Sequence, residues 1–188
     1  MRTIARAAQA AGLALATLGA AANAQAQVAK FSNIRDAVPS KYFDAATTRP
    51  DPSNRNLLII RFATGVDPLT QAPNGFVAWS SNRVAMDTIS FTVTAPAGFY
   101  VAKITYTQNG AVSIGRVRTT GGSATWVVNN FPASLGTFSG TPGLVGTSDL
   151  TTLKLTSVPV SITPSLFATV GAIMLTDASV LVELAPLR

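Results

Sequence analysis

The sequence predicts an all-β protein: a single antiparallel β-sandwich of jelly-roll type that follows a cleaved signal peptide. Three observations support this fold class. Short segments in which apolar and polar residues alternate recur along the chain, as in strands that bury one face. Gly, Pro and Asn-Gly turn signals separate these segments. After the first 26 residues the sequence shows neither long helical periodicity nor a fixed-period repeat.

Residues 1–26 are predicted to be the signal peptide. Two early arginines precede a short apolar run of Ala, Leu and Gly at residues 11–22, and small residues favour cleavage after Ala24 or Ala26. A membrane anchor is the alternative, but the apolar run is too short to span a bilayer comfortably. We therefore expect a secreted or periplasmic protein without stable membrane insertion.

The mature chain is predicted to have two unequal parts. Residues 27–56 are expected to form an irregular N-terminal segment that could hold a short helix or edge strand, and residues 57–188 the sandwich domain. The chain has no Cys, which excludes disulfides and thiol chemistry. A domain of this size can bury enough apolar surface without such cross-links.

The central strands are predicted from alternation and turn signals. An apolar run at residues 57–62 indicates a buried strand. Residues 87–107 predict a β-hairpin that turns at residues 95–98, because both arms alternate around Pro and Gly. Further turns are expected at Asn109-Gly110 and at Gly121-Gly122. Together these signals give a meander of four strands, at residues 87–94, 99–107, 111–120 and 123–129.

The C-terminal third is predicted to supply the strand edges. Pro159 and Pro164 cannot donate hydrogen bonds to a ladder, so a strand at residues 157–163 should lie at a sheet edge or be interrupted. The last strand is expected at residues 178–184, where apolar residues alternate again. Unpaired edges at either place could support self-association.

Composition and charge exclude several classes of function. The chain has 14 Lys and Arg residues, 8 Asp and Glu residues and no His. Without Arg2 and Arg6 of the signal peptide, 12 basic residues face 8 acidic ones, a net charge of +4. No run of basic residues occurs, so we expect no nucleic-acid partner. Without His or Cys, His-based triads and zinc sites are also excluded.

The sequence predicts neither an enzyme nor a cofactor. The acidic residues are scattered beside turns, where Asp commonly caps backbone N–H groups, so no carboxylate pair of the glycosidase kind is indicated. Asp149 and Asp177 are the residues that could offer carboxylates to calcium from loops. No spaced acidic loop supports such a site, and we expect no metal.

The candidate ligand-binding residues are one tryptophan and three cations. Trp79 lies near a loop and could stack on a sugar, whereas Trp126 alternates with apolar residues and is predicted to be in the core. Arg116 and Arg118 share a strand face, and Lys103 is expected across the preceding strand. This trio could meet an acidic polysaccharide, although an ordinary solvated face also explains it.

Two Thr-x-Thr pairs are a further feature of the predicted meander. Thr92 and Thr94 are expected on one strand, and Thr105 and Thr107 on its neighbour. A flat Thr array can order water, but β-branched residues that face solvent in ordinary strands explain the pairs equally well.

Thr-rich short strands, a cleavable signal and the absence of Cys and of Asn-x-Ser/Thr sequons resemble secreted bacterial β-sandwich domains of surface and matrix proteins. The resemblance covers the mature chain but rests on no specific motif. It implies a non-enzymatic protein with a structural, adhesive or matrix role at the bacterial cell exterior. The alternative is a carbohydrate-binding module that recognises a polysaccharide through an aromatic or cationic strand face.

Overall fold

Two antiparallel sheets packed face to face form the molecule, which confirms the predicted all-β sandwich. The structure is a computed structural model. It describes no side chain for Trp79 or for residues 112–114. The residues that it describes are 27–37, 42–63, 76–79, 84–114, 120–139, 143–169 and 171–188.

Twelve strands are present in the described residues, and every pairing between them is antiparallel. Numbered in chain order, they are β1 (Lys30–Asp36), β2 (Arg49–Pro50), β3 (Leu57–Ile60), β4 (Val77–Trp79), β5 (Val84–Met86), β6 (Ile89–Thr94), β7 (Phe99–Ile114), β8 (Thr120–Val128), β9 (Phe131–Ser139), β10 (Gly143–Asp149), β11 (Ser157–Ala168) and β12 (Ala172–Pro186).

Each sheet has six strands. Sheet 1 has the order β1-β6-β11-β8-β9, and β5 also pairs with β11. Sheet 2 has the order β10-β7-β12-β3-β2, and β4 also pairs with β12. The N-terminal strands β1 and β2 thus join different sheets, so both strands of this segment belong to the sandwich. No helix in the described part of the chain is long and apolar enough to cross a membrane.

The predicted hairpin at residues 87–107 is wrong, because its two arms lie in different sheets. Strand β6 belongs to sheet 1 and β7 to sheet 2, and residues 95–98 carry the chain across the core. Gly98 has a φ of 81°, which suits this abrupt change of direction. Alternation reveals which face of a strand is buried, and the buried faces of both sheets pack into the same core. The same pattern therefore fits a hairpin within one sheet or a crossing between two.

The remaining predicted meander is also wrong. Strand β7 continues through Asn109-Gly110, opposite a register shift in β12, and therefore makes no turn there. Gly121 and Gly122 lie inside β8, where side-chain and backbone atoms of neighbouring strands come too close for a Cβ atom. Glycine is needed at these two positions for close approach rather than for a reversal.

The predicted edge strands are in fact central. Strand β11 lies between β6 and β8, and β12 lies between β7 and β3. The prolines fit because of the direction in which each nitrogen points. Asn129 N donates to Pro159 O (2.9 Å), so the carbonyl of Pro159 points towards the end of β8. The nitrogen and the carbonyl of a strand residue point to the same side, so the missing N–H of Pro159 falls at the last position of the pairing with β8. Pro164 faces the other side, in the gap between the pairings of β11 with β6 and with β5.

The core lies between the inner faces of the two sheets. Trp126 is 3% exposed, together with buried Ala124 and Val128, which confirms its predicted place in the core. One polar pair interrupts the apolar interior of sheet 2: Tyr106 Oη donates to Gln108 Oε1 (2.8 Å), and both residues are fully buried. Burial, aided by the charge of Asp177, raises the pKa of the Tyr106 hydroxyl, so this group stays protonated and donates.

Candidate functional site

The structure describes the predicted ligand-binding residues only in part. Arg116 and Arg118 lie outside the described residues. The backbone of Trp79 belongs to β4 and pairs with Ala172, but its side chain is not among those described. Lys103 is on the outer face of sheet 2, where it is partly exposed to solvent. The role of Trp79 and, as the alternative site, that of the Arg116 and Arg118 face stay predictions.

Lys103 lies between two carboxylates. It pairs with Asp149 of β10 on one side and with Glu183 of β12 on the other, and its amine forms an ion pair with Glu183. Hydrogen bonds from the Thr151 hydroxyl and N–H, and then the charge of Lys103, hold the pKa of Asp149 below its ordinary value of 3.8. The charge around Lys103 is therefore net negative, which does not favour an anionic ligand there.

The two acidic residues considered for calcium are held by local hydrogen bonds. Asp149 Oδ1 accepts from Thr151 N (2.9 Å) and Thr151 Oγ1 (2.6 Å), and Asp177 Oδ1 accepts from Asn109 Nδ2 (2.8 Å). Among the described residues, no group of three or more acidic side chains could hold a metal ion.

The predicted arrangement of the Thr-x-Thr pairs is wrong. Thr92 and Thr94 belong to β6 in sheet 1, whereas Thr105 and Thr107 belong to β7 in sheet 2. Their strands are therefore not neighbours, and the two pairs face solvent on opposite sides of the sandwich. The reason is again the crossing at residues 95–98, which separates the arms of the predicted hairpin.

Sheet 1 instead carries rows of hydroxyl groups across its outer face, which we call the hydroxyl face. The Thr88 and Thr163 hydroxyls are 2.7 Å apart, and those of Ser90 and Ser161 are 2.8 Å apart. Further rows follow from the strand register, because residues directly opposite each other share a face. The hydroxyl-bearing residues of this face are Thr88, directly before β6, and those in β6, β11 and β8: Ser90, Thr92, Thr94, Ser157, Ser161, Thr163, Ser165, Ser123 and Thr125.

An aromatic ring lies at one end of the hydroxyl face. Phe167 is 44% exposed, and its ring comes within 2.9 Å of the place where a Cβ atom of Gly121 would stand. The ring therefore covers the Gly121 backbone on the neighbouring strand. On the other side, Phe167 pairs with Val84, and Val84 and Met86 of β5 are also exposed. These residues make an apolar patch beside the hydroxyls of Ser165 and its row.

A groove lies towards the opposite end of the hydroxyl face, beside β1. The register of β1 against β6 shifts between Ser32 and Arg35, and Asn33 has a φ of 54° at this bulge. The groove has a volume of about 370 Å³. Its polar lining comes from Asn33, Arg35, Ser90, Thr92 and Ser161, and Pro159 also lines it.

Neither Phe167 nor Arg35 could be identified as a candidate binding residue from the sequence. Phe167 lies in a segment whose alternation predicts a strand, but its exposure depends on Gly121, 46 residues earlier in the chain. A glycine opposite an aromatic residue is a signal only after the register is known. Arg35 lies in the segment predicted to be irregular, so its alignment with Ser90 could not be derived from the sequence.

No family model matches the chain, and no curated protein matches it. Among solved structures, TmCBM61 in complex with β-1,4-galactotriose is similar at 12% identity and a TM-score of 0.38, covering 82% of this chain and 91% of that chain. A β-glucosidase from Kluyveromyces marxianus in complex with glucose is similar at 12% identity and a TM-score of 0.22, covering 79% of this chain and 18% of that chain. Neither likeness bears on function.

Proposed function

We propose that the protein is a secreted, non-enzymatic β-sandwich that adheres to polysaccharide at the bacterial cell exterior, and that the hydroxyl face carries the binding. One observation carries this proposal: the exposed ring of Phe167 lies on the same face as aligned rows of Ser and Thr hydroxyls. A sugar ring has an apolar face of C–H groups and an edge of hydroxyls, so an aromatic ring beside hydroxyls complements both.

The shape of the face supports an extended ligand rather than a small molecule. Successive outward residues of β11 are about 7 Å apart, and the distance from Pro159 to Phe167 is about 27 Å along an extended strand. Small-molecule sites are usually concave pockets that enclose their ligand. A track of this length fits several consecutive units of a chain, as adhesion to a polysaccharide requires.

A non-enzymatic role is supported by the placement of the carboxylates. Hydrolysis of a glycosidic bond ordinarily requires two carboxyl groups that flank the bond. The rows of the hydroxyl face contain no carboxylate among the residues that the structure describes, and Asp149, Asp177 and Glu183 lie on the outer face of sheet 2. A sugar bound on the hydroxyl face would therefore contact hydroxyls, amides and cations.

The test is a binding screen of the purified protein against a glycan array and insoluble polysaccharides. Phe167→Ala should weaken binding about tenfold or more, because stacking and apolar contact would be lost. Phe131→Ala is the matched control, since Phe131 is 63% exposed but lies at the β8–β9 turn. Trp79→Ala tests the aromatic residue predicted from the sequence. Hydrolysis of a glycan, or equal weakening by the Phe131 and Phe167 variants, would contradict the proposal.

A structural role through self-association is the second candidate, and strand β10 is the observation that favours it. This strand ends sheet 2, has β7 as its one partner among the described strands, and exposes 65% of Val145. The end strands of sheet 1 are protected: β1 by a bulge and two cations, and β9 by Pro132 and a bulge near Gly136. Val145→Lys should abolish any concentration-dependent dimer in sedimentation velocity, and a protein that is monomeric at all concentrations would remove this candidate.

A further inference from the structure

Arg35 occupies the groove of the hydroxyl face because of the bulge in β1. The register shift between Ser32 and Arg35 adds one residue to β1 relative to β6 and changes the direction of the strand. After the bulge, Arg35 pairs with Ser90, whose hydroxyl meets that of Ser161 in the next strand. The guanidinium thus stands at the end of a row of hydroxyls.

No described carboxylate neutralises Arg35. Asp36 follows it in the chain but pairs with Ile89, which faces the core, so the Asp36 side chain is on the other side of β1. In the described part of the chain, Arg35 and Lys30 are the charged residues of the hydroxyl face, and neither forms an ion pair there. Lys103 on sheet 2 is the contrast, because Glu183 already binds its amine.

The groove has the size and the groups to hold one charged sugar unit. Its volume of about 370 Å³ falls within the range of small-ligand sites. A guanidinium presents a rigid fork of N–H donors that matches the two oxygens of an anionic group. The Ser90 and Ser161 hydroxyls and the Asn33 side chain can exchange hydrogen bonds with the sugar hydroxyls around that group.

We propose that this groove is an anionic subsite, in which Arg35 binds the charged group of an acidic sugar and so selects an acidic polysaccharide. This inference rests on the proposed function and names its ligand class. A uronate carboxylate and a sulfate ester share the required chemistry. Lys30, two rows further along the face at about 14 Å, contributes a second and weaker attraction.

The test compares polymers that differ only in charge. Affinities of the purified protein are measured for polygalacturonate and its fully methyl-esterified form, and for dextran sulfate and dextran. The charged polymer of at least one pair should bind about tenfold more tightly at low ionic strength, and the difference should shrink as salt is added. The pair that shows the difference identifies carboxylate or sulfate as the anion.

Substitutions assign the preference to the groove. Arg35→Gln should remove most of the charge preference, because the affinity for the charged polymer should fall towards the affinity for its neutral counterpart. Lys30→Gln should reduce the preference by only a few-fold. Arg49→Gln is the matched control, since it removes the same charge from the outer face of sheet 2, where Arg49 pairs with Ile59. It should leave the preference intact.

The outcomes separate this inference from the proposed function. Equal binding of charged and neutral polymers overturns the anionic subsite but leaves polysaccharide adhesion standing. A charge preference that survives Arg35→Gln, or that Arg49→Gln reduces equally, also overturns the subsite. Absence of binding to every polymer in both experiments overturns the proposed function itself.

Discussion

The two outer faces of the sandwich arise from the same alternation of residues but differ in how their polar groups are paired. On sheet 2, Lys103 is bound to Glu183, and the Asn109 amide donates to Asp177. On sheet 1, hydroxyls pair with hydroxyls, and Arg35 has no described carboxylate on its face. A hydroxyl that donates one hydrogen bond can still accept others. The hydroxyls of sheet 1 can therefore still bind a ligand, whereas the charged groups of sheet 2 already bind each other.

The inner faces of the two sheets also differ, because the buried polar pair lies in sheet 2. Sheet 2 buries the hydrogen-bonded pair of Tyr106 and Gln108, whereas strands β8 and β11 of sheet 1 pack so closely that Gly122 has no room for a side chain. Sheet 1 therefore depends on close packing, and sheet 2 on a buried hydrogen bond between two polar side chains. Substitutions matched between the two sheets test this difference.

The largest effect is expected from Gly122→Ala in sheet 1. The new Cβ would press against the Ser165 carbonyl and stand 2.6 Å from the Phe138 ring, so strands β8 and β11 must separate. We expect a loss of about 3 kcal/mol in the free energy of unfolding, measured by urea denaturation. Gly143→Ala in sheet 2 is the control, because nothing lies within 4 Å of its Cβ position. Similar losses in both variants would refute the packing contrast.

A loss of about 1–3 kcal/mol is expected from Tyr106→Phe in sheet 2, because Gln108 Oε1 would lose its buried donor. The double variant Tyr106→Phe/Gln108→Leu should recover most of this stability, since an apolar pair needs no partner. Urea denaturation of both variants measures the difference. If the double variant were no more stable than Tyr106→Phe, the polar pair would not be the source of the loss.

A smaller effect is expected on acidification, and only at the rim of sheet 2. The pKa of Asp149 is lowered in the folded protein, so its contribution to stability is complete above its ordinary value of 3.8 and is lost as the pH falls below that value. Asp149→Asn should therefore flatten the fall of the melting temperature between about pH 5 and pH 2. Thr151→Val should raise the pKa of Asp149 in an NMR titration, and an unchanged pKa would disprove the assigned cause.

The smallest effect on stability is expected from the exposed hydroxyls, where binding is the decisive readout. Ser90→Ala removes one member of a hydroxyl pair 2.8 Å apart, and Thr105→Ala removes one of a pair 3.4 Å apart on sheet 2. Each should change the free energy of unfolding by about 0.5 kcal/mol or less. Only Ser90→Ala should weaken polysaccharide binding, by a few-fold. Equal weakening by both variants would mean that sheet 1 is not the binding face.

The fold class could be predicted because burial within a strand is a local property of the sequence. The alternation of Ala124, Trp126 and Val128 was enough to place Trp126 in the core. The pairing of strands could not be predicted, because β6 and β7 satisfy the same alternation in different sheets. Proline was a misleading edge signal for β11, since a single missing N–H is harmless at the end of a ladder or in a gap between two.

The candidate site was less predictable than the fold. Lys103 was correctly placed on a solvent-facing position, but its carboxylate neighbours come from β10 and β12, both far away in the sequence. Arg35 and Phe167 acquire their surroundings from register across strands, which alternation alone leaves open. A site whose residues come from different strands can thus be recognised only after the register of those strands is known.

The positions of β11 and β12 in their sheets also bear on how the chain folds. Each is a central strand, yet both come after every strand that they join. Ser161 meets Ser90, although the two residues are 71 positions apart in the sequence. A nascent chain can complete neither sheet until residues 157–186 have been synthesised, so most native contacts form late and between distant segments. Such topologies fold in milliseconds to seconds rather than microseconds, which leaves an interval in which a chaperone can bind the unfolded chain.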